Sequence, residues 1–90
     1  MAHVHQLDVC DDDQWYPHNF KFLNHTSTPV TVNRFMPDTF PFVPDPGSTD
    51  SLVVPPGGRP VKIKPNLPHG QYRYNIDGCN HDSPRTIIIS

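Results

Sequence analysis

Leu67-Pro68-His69-Gly70-Gln71-Tyr72-Arg73-Tyr74-Asn75-Ile76 is the stretch of sequence that decides the fold. From Gln71 onward, polar and apolar side chains alternate. Because successive side chains of a strand point to opposite faces, this pattern predicts a half-buried β-strand. A proline and a glycine interrupt the chain just before it. The segment therefore predicts a turn that leads directly into a strand with one face in a core.

The same stretch carries a second signal in the spacing Leu67-Pro68-x-Gly70-x-Tyr72. This spacing resembles the tyrosine corner of Greek-key β-sandwiches, in which a tyrosine hydroxyl hydrogen-bonds to the backbone a few residues upstream. The resemblance implies that the Tyr72 hydroxyl bonds back to the turn that precedes its strand.

The composition extends the β prediction to the whole chain of 90 residues. The chain has no Glu and a single Ala, and it contains 12 Pro and 5 Gly. Strong helix formers are thus scarce, whereas β-branched and aromatic residues, which suit a pleated sheet, are abundant. A chain of this length forms one domain with a modest core. We therefore expect a single all-β domain over residues 1–90.

Alternation and chain breakers predict about seven short strands. The segments around Phe22 and Val32 alternate in the same way on either side of a short turn, and we predict them to form a hairpin. Ile87-Ile88-Ile89 has no polar alternation, which predicts a central strand covered on both faces. The expected strands span residues 3–9, 19–24, 29–35, 51–54, 61–64, 72–76 and 85–89.

The segment Met36–Asp50 contains four prolines and cannot form a regular central strand, because proline removes ladder donors. It predicts a long ordered loop with a short edge strand around 39–43, and loops of this length are often functional. Phe40 and Phe42 within it have two interpretations. They either plug one end of the sandwich or form an exposed binding surface.

Several segments resemble cupredoxins. They are Phe22-Leu23-Asn24-His25-Thr26 before Pro29-Val30-Thr31-Val32, the strand and turn Leu52-Val53-Val54-Pro55-Pro56-Gly57-Gly58, Tyr16-Pro17-His18-Asn19-Phe20, and the Gly-x-Tyr-x-Tyr strand followed by Cys79, His81 and a closing strand. The resemblance implies a Greek-key β-sandwich of about seven strands. We expect this all-β sandwich to be cupredoxin-like or immunoglobulin-like.

The resemblance also raises the question of a type 1 copper site, which needs two His, a Cys thiolate and a weak axial ligand such as Met. Family members place the thiolate about six residues after the glycine, where this chain has Ile76, and no Met follows. We therefore expect a cupredoxin-like domain without the type 1 copper ligands and without a cofactor. The alternative is a copper-binding or electron-transfer protein that uses Cys79, His81 and His18.

The two cysteines, Cys10 and Cys79, follow the first and sixth expected strands, whose ends can meet at one pole of a sandwich. They form a disulfide, remain free thiols or bind a metal. A disulfide would close a loop of about 70 residues and contribute about 3–4 kcal/mol. It would place the protein in the periplasm or outside the cell, whereas free thiols would place it in the cytoplasm.

The ends of the chain and its hydropathy carry little further information. The amino end has no apolar region typical of a signal peptide, so the chain is expected to be cytosolic or a mature segment behind a new Met. No apolar run approaches the length that crosses a bilayer, and we expect no membrane span.

Charge and motifs narrow the class of function. The net charge is −2 and the basic residues are scattered, which argues against a nucleic-acid partner. The densest basic group, Arg59, Lys62 and Lys64, is predicted to form the solvent face of a strand. There is no Gly-x-Ser-x-Gly elbow and no His-Glu-x-x-His motif, so we expect no enzyme.

The expected function is that of a non-enzymatic binding or accessory domain with an unidentified protein or small-ligand partner. Its expected working surfaces are the paired segments 11–18 and 77–84 and the loop 36–50. A further alternative is carbohydrate or peptide binding through the loop aromatics. Trp15 and Tyr16 either stack on a sugar or cap the sandwich, and Phe40 and Phe42 complete this candidate surface.

Overall fold

The computed structural model describes residues 5–11, 20–79 and 84–89. Over these residues the protein is all-β, with seven strands in two sheets and no helix. The strands are β1 (His5–Asp8), β2 (Phe20–Leu23), β3 (Val30–Arg34), β4 (Ser51–Val54), β5 (Arg59–Val61), β6 (Gly70–Asp77) and β7 (Arg85–Ile89). This confirms the predicted all-β sandwich and the predicted number of strands.

The two sheets differ in their pairing. The first has the order β1-β2-β5, with β1 parallel to β2 and β5 antiparallel to it. The second has the order β4-β3-β6-β7 and is antiparallel throughout. The chain crosses between the sheets after β2, after β4 and after β5. The parallel β1–β2 pair departs from the immunoglobulin arrangement, in which both sheets are antiparallel.

The predicted hairpin of β2 and β3 is wrong, because the two strands lie in different sheets. Asn24 explains the crossing. Its side chain is buried, and its amide donates hydrogen bonds of 2.9 Å to the carbonyls of Thr28 and Val54. Its side-chain oxygen accepts a bond from the Thr26 amide. A buried amide with these partners fixes a local turn in place of a two-stranded ladder.

The core lies between the sheets and takes alternate residues of each strand, as the period of a strand requires. Its centre is aromatic: the ring of Phe42 lies 5.0 Å from Tyr74 and 5.6 Å from Phe22 in edge-on geometry. The buried apolar residues are Val9, Phe20, Phe22, Val30, Val32, Phe40, Phe42, Leu52, Val54, Val61, Tyr74, Ile76 and Ile87.

Among the described strands, β7 lies at the edge of its sheet, and there the prediction of a central strand at Ile87-Ile88-Ile89 is wrong. Ile87 is fully buried, whereas Ile88 and Ile89 are partly exposed. One face of β7 packs against the core through Ile87 and Ile89, and alternation turns Ile88 to the other face. An unbroken apolar run therefore does not distinguish an edge strand from a central one here.

The tyrosine corner is confirmed. The Tyr72 hydroxyl donates a hydrogen bond to the carbonyl of Pro68, four residues upstream. Tyr72 itself lies in β6, where it pairs with Ile87 of β7. The corner therefore fixes the entry of the chain into the longest strand of the second sheet.

Replacing this tyrosine by phenylalanine removes only the hydroxyl. We expect Tyr72→Phe to lower the free energy of unfolding by about 0.5–1.5 kcal/mol, the usual net value of one hydrogen bond. Urea denaturation of the two proteins, followed by circular dichroism, measures the difference. An unchanged midpoint would show that the corner contributes no stability.

The outer edge of β4 is covered by side chains and by the long loop. The Asp45 carboxylate accepts a hydrogen bond from the Val53 amide, and Arg59 donates to the Val53 carbonyl. Asp45 and Arg59 also form an ion pair at 2.5 Å, and the Asp45 amide donates to the carbonyl of Ser51. Unpaired edge groups invite pairing with other chains, so this cover protects the sheet from edge-to-edge association.

The pKa of Asp45 reflects these contacts. Burial acts to raise this pKa, but the hydrogen bonds from Arg59 and from the Val53 amide and the charge of Arg59 outweigh burial, and the pKa lies below its usual value. A lowered pKa in the folded state stabilises the fold above the unfolded-state pKa, near 3.9, and this contribution is lost as the pH falls through the lower folded-state value.

Asp45→Asn should therefore lower the free energy of unfolding at neutral pH by about 1–2 kcal/mol. The gap between the variant and the parent should narrow as the pH falls below about 4. Urea midpoints measured from neutral pH to acid give both quantities. A gap that stays constant over this range would contradict the assignment, and Asp50→Asn, which touches no edge group, is the matched control.

Residues 62–64 pair with the long loop in place of continuing β5. The predicted strand 61–64 is shifted, since β5 ends at Val61. Beyond it the Val43 amide donates to the Lys62 carbonyl and the Lys64 amide to the Pro41 carbonyl, each at 2.9 Å. The loop is thereby held along the sandwich, and the Lys64 side chain is placed beside the residues that precede β4.

Candidate functional site

The two cysteines form a disulfide. Cys10 and Cys79 are 69 residues apart in the sequence, and their Cα atoms lie 5.5 Å apart. The described residues contain no free cysteine. Of the three alternatives for this pair, the structure confirms the disulfide, which joins the turn after β1 to the loop after β6.

The residues predicted to bind copper do not fit a type 1 site in this form. Such a site needs a thiolate, and the sulfur of Cys79 is bonded to Cys10. Ile76, where the resemblance would place the thiolate, is an apolar core residue that is 1% exposed. His18 and His81 lie outside the described residues. Among the residues that are described, no group of three or more His, Cys, Asp or Glu side chains could hold a metal ion.

The disulfide pole is also held by a buried guanidinium. Arg85 is 0% exposed, and it donates hydrogen bonds to the carbonyls of Asp11 and Cys10. The Cys10 amide donates to the carboxylate of Asp8 at 2.9 Å. The disulfide and the hydrogen bonds of Arg85 thus hold this end of the sandwich together, and their role is structural.

The aromatic residues of the long loop are part of the core. Phe40 is 2% exposed and Phe42 0%, and their ring centres lie 5.5 Å apart. This corrects the interpretation of these two rings as an exposed binding surface, because a buried ring cannot stack on a ligand. The apolar plug is the interpretation that their burial supports. Trp15 and Tyr16, the other members of the predicted surface, lie outside the described residues.

A polar cleft of about 270 Å³ lies at the opposite pole from the disulfide, where β3 ends and the long loop begins and returns. β3 starts beside the residues that lead to Cys79 and runs away from them, so its two ends mark the two poles. The residues that line the cleft are Arg34, Thr39, Phe40, Thr49, Asp50 and Lys64. The long loop therefore contributes to the cleft through side chains other than exposed aromatics.

Arg34 is held in place by the loop that it faces. Its Nε donates a 2.7 Å hydrogen bond to the Asp38 carbonyl, and its Nη2 lies 3.5 Å from the Pro37 carbonyl. Its own amide donates to the Asp50 carbonyl at 3.0 Å. A guanidinium fixed along one edge loses little freedom when its remaining N–H groups bind an acceptor. Arg34 is thus a pre-organised donor at the wall of the cleft.

The carboxylate of Asp38, whose backbone carbonyl binds Arg34, is itself bonded to another arginine. The Asp38 carboxylate accepts hydrogen bonds from the Nε and the amide of Arg73, at 3.1 and 3.0 Å. The side-chain hydrogen bond from Arg73, then its amide bond, hold the pKa of Asp38 below its usual value, although desolvation opposes them. Arg73 is itself stacked on Phe35 at 4.3 Å. Asp38 therefore pairs with Arg73 and forms no ion pair with Arg34.

The charged groups of the cleft form no ion pairs among the described residues. The ion pairs between described residues join Asp45 to Arg59 and Asp38 to Arg73. Asp8 lies within ion-pair distance of His25 and pairs with it when the histidine is protonated. None of the hydrogen bonds of the described residues uses the hydroxyl of Thr39 or Thr49, the carboxylate of Asp50 or the ammonium of Lys64. Lys64 lies 5.6 Å from the ring centre of Phe40, over its face. The cleft thus presents two cations, one carboxylate and two hydroxyls.

Such an arrangement can bind a small polar ligand. Binding sites are concave and contain a few polar groups that converge on the ligand and fix its orientation. Unpaired polar groups at a cleft exchange water for ligand without first breaking an internal bond. No side chain that lines the cleft is a Cys or a His.

The sequence predicts the loop as a working surface but does not predict which side chains line the cleft. It places Arg34 among several scattered cations, and it predicts Lys64, with Arg59 and Lys62, on the solvent face of a strand. Instead, Arg59 pairs with Asp45 at the edge of β4, and Lys64 reaches the cleft. The local pattern carries no signal for this division, because it depends on how a distant loop packs.

Comparison of this chain with protein-family models, with curated proteins and with solved structures finds no match. The described residues include no helix that is long and apolar enough to cross a membrane.

Proposed function

We propose that this protein is a non-enzymatic binding domain built on a cupredoxin-like sandwich that lacks a type 1 copper centre, and that its ligand site is the polar cleft lined by Arg34 and Lys64. The observation that carries the proposal is the set of cleft groups without ion-pair partners. Polar and charged groups that converge on one concave site and have no internal partner are available to orient a ligand.

Two observations support the cupredoxin-like assignment over the immunoglobulin-like one. The parallel β1–β2 pair departs from the antiparallel sheets of immunoglobulin domains. Two segments that resemble cupredoxins also form the strand and turn that the resemblance implies. The Asn24 turn follows β2, and the turn after β4 has a hydrogen bond from the Gly58 amide to the Pro55 carbonyl. The use of Cys79 in a disulfide supports a domain without the copper centre.

The disulfide also supports a location in the periplasm or outside the cell. Disulfides persist in oxidising compartments and are rare in the cytosol, where thiols are kept reduced. The location would be tested by the thiol content of the protein recovered from each cell fraction without reducing agent. Two free thiols in the native host would contradict this part of the proposal.

Thermal unfolding in the presence of a ligand panel tests the binding proposal. A ligand that binds only the folded state raises the unfolding temperature by mass action. The panel contains neutral sugars, short peptides, free amino acids and small organic acids. At least one class should stabilise the parent protein, and Lys64→Gln should reduce that shift. Lys62→Gln, an exposed lysine two residues away that does not line the cleft, is the matched control.

A copper titration of the oxidised protein tests the alternative. A type 1 centre gives the intense visible absorption of a Cu²⁺–thiolate bond. We expect no such band, and we expect Cys79→Ser to leave any Cu²⁺ affinity unchanged. A blue protein would overturn the proposal in favour of electron transfer. If the ligands stabilise the parent and Lys64→Gln equally, the assignment of the cleft as the ligand site is wrong.

A further inference from the structure

We infer that the ligand of the cleft is a small zwitterion of the α-amino-acid type, which carries a carboxylate and an ammonium group close together. The inference rests on the proposed function, because it assigns a ligand class to the same site. It follows from the signs and the distribution of the unpaired charges: two cations and one carboxylate line a single small cavity.

The carboxylate end is assigned to Arg34 and Lys64. The Nε of Arg34 is already bonded to the Asp38 carbonyl and its Nη2 faces the Pro37 carbonyl, so its Nη1 has no acceptor among the described residues. A guanidinium with a free N–H pair suits the planar carboxylate, and an ammonium adds a point charge. Asp38 does not compete for Arg34, because Arg73 holds its carboxylate.

The ammonium end is assigned to Asp50. Its backbone carbonyl accepts the Arg34 amide, which fixes the residue beside the arginine, while its side chain has no ion-pair partner. A ligand with a carboxylate alone would leave the Asp50 charge uncompensated next to its own negative charge. A ligand that also carries an ammonium pairs with both signs and avoids this repulsion.

The size and the lining of the cleft favour a small ligand. Its volume of about 270 Å³ lies just below the range of drug-sized sites, which begins near 300 Å³. The hydroxyls of Thr39 and Thr49 donate to a carboxylate or accept from an ammonium. Phe40 is buried beneath Lys64 and leaves no apolar surface for a long side chain.

Three matched probes distinguish the contribution of the carboxylate to binding from that of the ammonium group. L-alanine carries both charges, N-acetyl-L-alanine only the carboxylate, and L-alaninamide only the ammonium. Dissociation constants for the oxidised protein at neutral pH and low salt follow from amide chemical-shift titrations. We expect L-alanine to bind at least about tenfold more tightly than either single-charge probe, which corresponds to one charge-assisted hydrogen bond.

Variants assign each charge to its residue. Asp50→Asn should leave N-acetyl-L-alanine binding unchanged or tighter and remove the preference for L-alanine over it. Lys64→Gln should weaken both carboxylate probes by about threefold to tenfold, while Lys62→Gln should not. Arg34→Ala should weaken carboxylate binding more than Lys64→Gln does. If loss of Arg34 also loosens the loop, the comparison of Lys64→Gln with Lys62→Gln still tests the assignment.

The outcomes distinguish this inference from the proposal beneath it. Equal binding of L-alanine and N-acetyl-L-alanine at the cleft would overturn the zwitterion and leave a binding domain for anions. Stabilisation by a neutral sugar alone, with shifts at Thr39 and Thr49, would likewise overturn the zwitterion only. No shift at the cleft with any probe or any member of the ligand panel would overturn both.

Discussion

Loss of the Cys10–Cys79 disulfide is expected to lower the free energy of unfolding by about 4 kcal/mol, because the bond closes a loop of about 70 residues. The bond joins the turn after β1 to the loop after β6, and thus one sheet to the other. The total free energy of unfolding of a small domain is about 5–15 kcal/mol. The double variant Cys10→Ser/Cys79→Ser should therefore lose a large share of its stability.

Urea denaturation of the oxidised parent, the reduced parent and the double serine variant measures this effect. The reduced parent and the variant should agree with each other, since both lose the same cross-link. A loss below about 1 kcal/mol would show that Arg85 and the surrounding contacts hold this pole without the covalent bond. Cys10→Ser alone leaves a single thiol at Cys79 and shows whether that thiol acquires copper affinity once it is released.

Truncation of Phe42 is expected to cost about 3–5 kcal/mol, the usual range for removal of a buried aromatic ring. The ring is fully buried and contacts Phe20, Phe22, Phe40 and Tyr74 through edge-on or tilted geometry. It belongs to the long loop, so its loss both opens a cavity in the core and releases the loop. Phe42→Ala should thus weaken ligand binding at the cleft as well as stability.

Phe35→Ala is the matched control for this prediction. Phe35 lies in the same loop region but is only partly buried, and its ring contacts the exposed Arg73. Its truncation should cost about 1 kcal/mol or less. Equal losses for Phe35→Ala and Phe42→Ala in urea denaturation would contradict the assignment of Phe42 as the element that fastens the loop to the core.

The parts of the fold that the sequence predicts are those that local chemistry decides. The strand after Gly70 and the tyrosine corner at Tyr72 follow from residues within ten positions of one another, and both are confirmed. The placement of β3 in the second sheet depends on Asn24 and its bond to Val54, 30 residues away. No local alternation encodes such a partner, and two adjacent alternating segments therefore resemble a hairpin.

The edge position of β7 shows the same limit. Three consecutive isoleucines predict cover on both faces, but the cover depends on the order of strands in the sheet. That order is decided by contacts between segments that are distant in the sequence. Arg85 adds a second difficulty, because a charged residue is buried in the same strand and is satisfied by carbonyls of the turn after β1.

The candidate site divides in a similar way. The length of the loop 36–50 predicted a functional segment, and the loop contributes Thr39, Phe40, Thr49 and Asp50 to the cleft. Which of the chain's cations face that cleft was not predictable, because pairing decides it: Arg59 and Arg73 are paired with Asp45 and Asp38. The remaining cations of the cleft become visible only once these ion pairs are known.

One measurement tests the central claim that this domain acts through the cleft and not through its cysteine pole. It is a residue-resolved map of amide chemical-shift changes when L-alanine is added to the oxidised protein. Changes should concentrate at Arg34, Thr39, Thr49, Asp50 and Lys64, with Cys10 and Cys79 unaffected at the far end of the sandwich. Changes that cluster at the cysteine pole would contradict the account. So would a spectrum whose cleft signals respond neither to L-alanine nor to any member of the ligand panel.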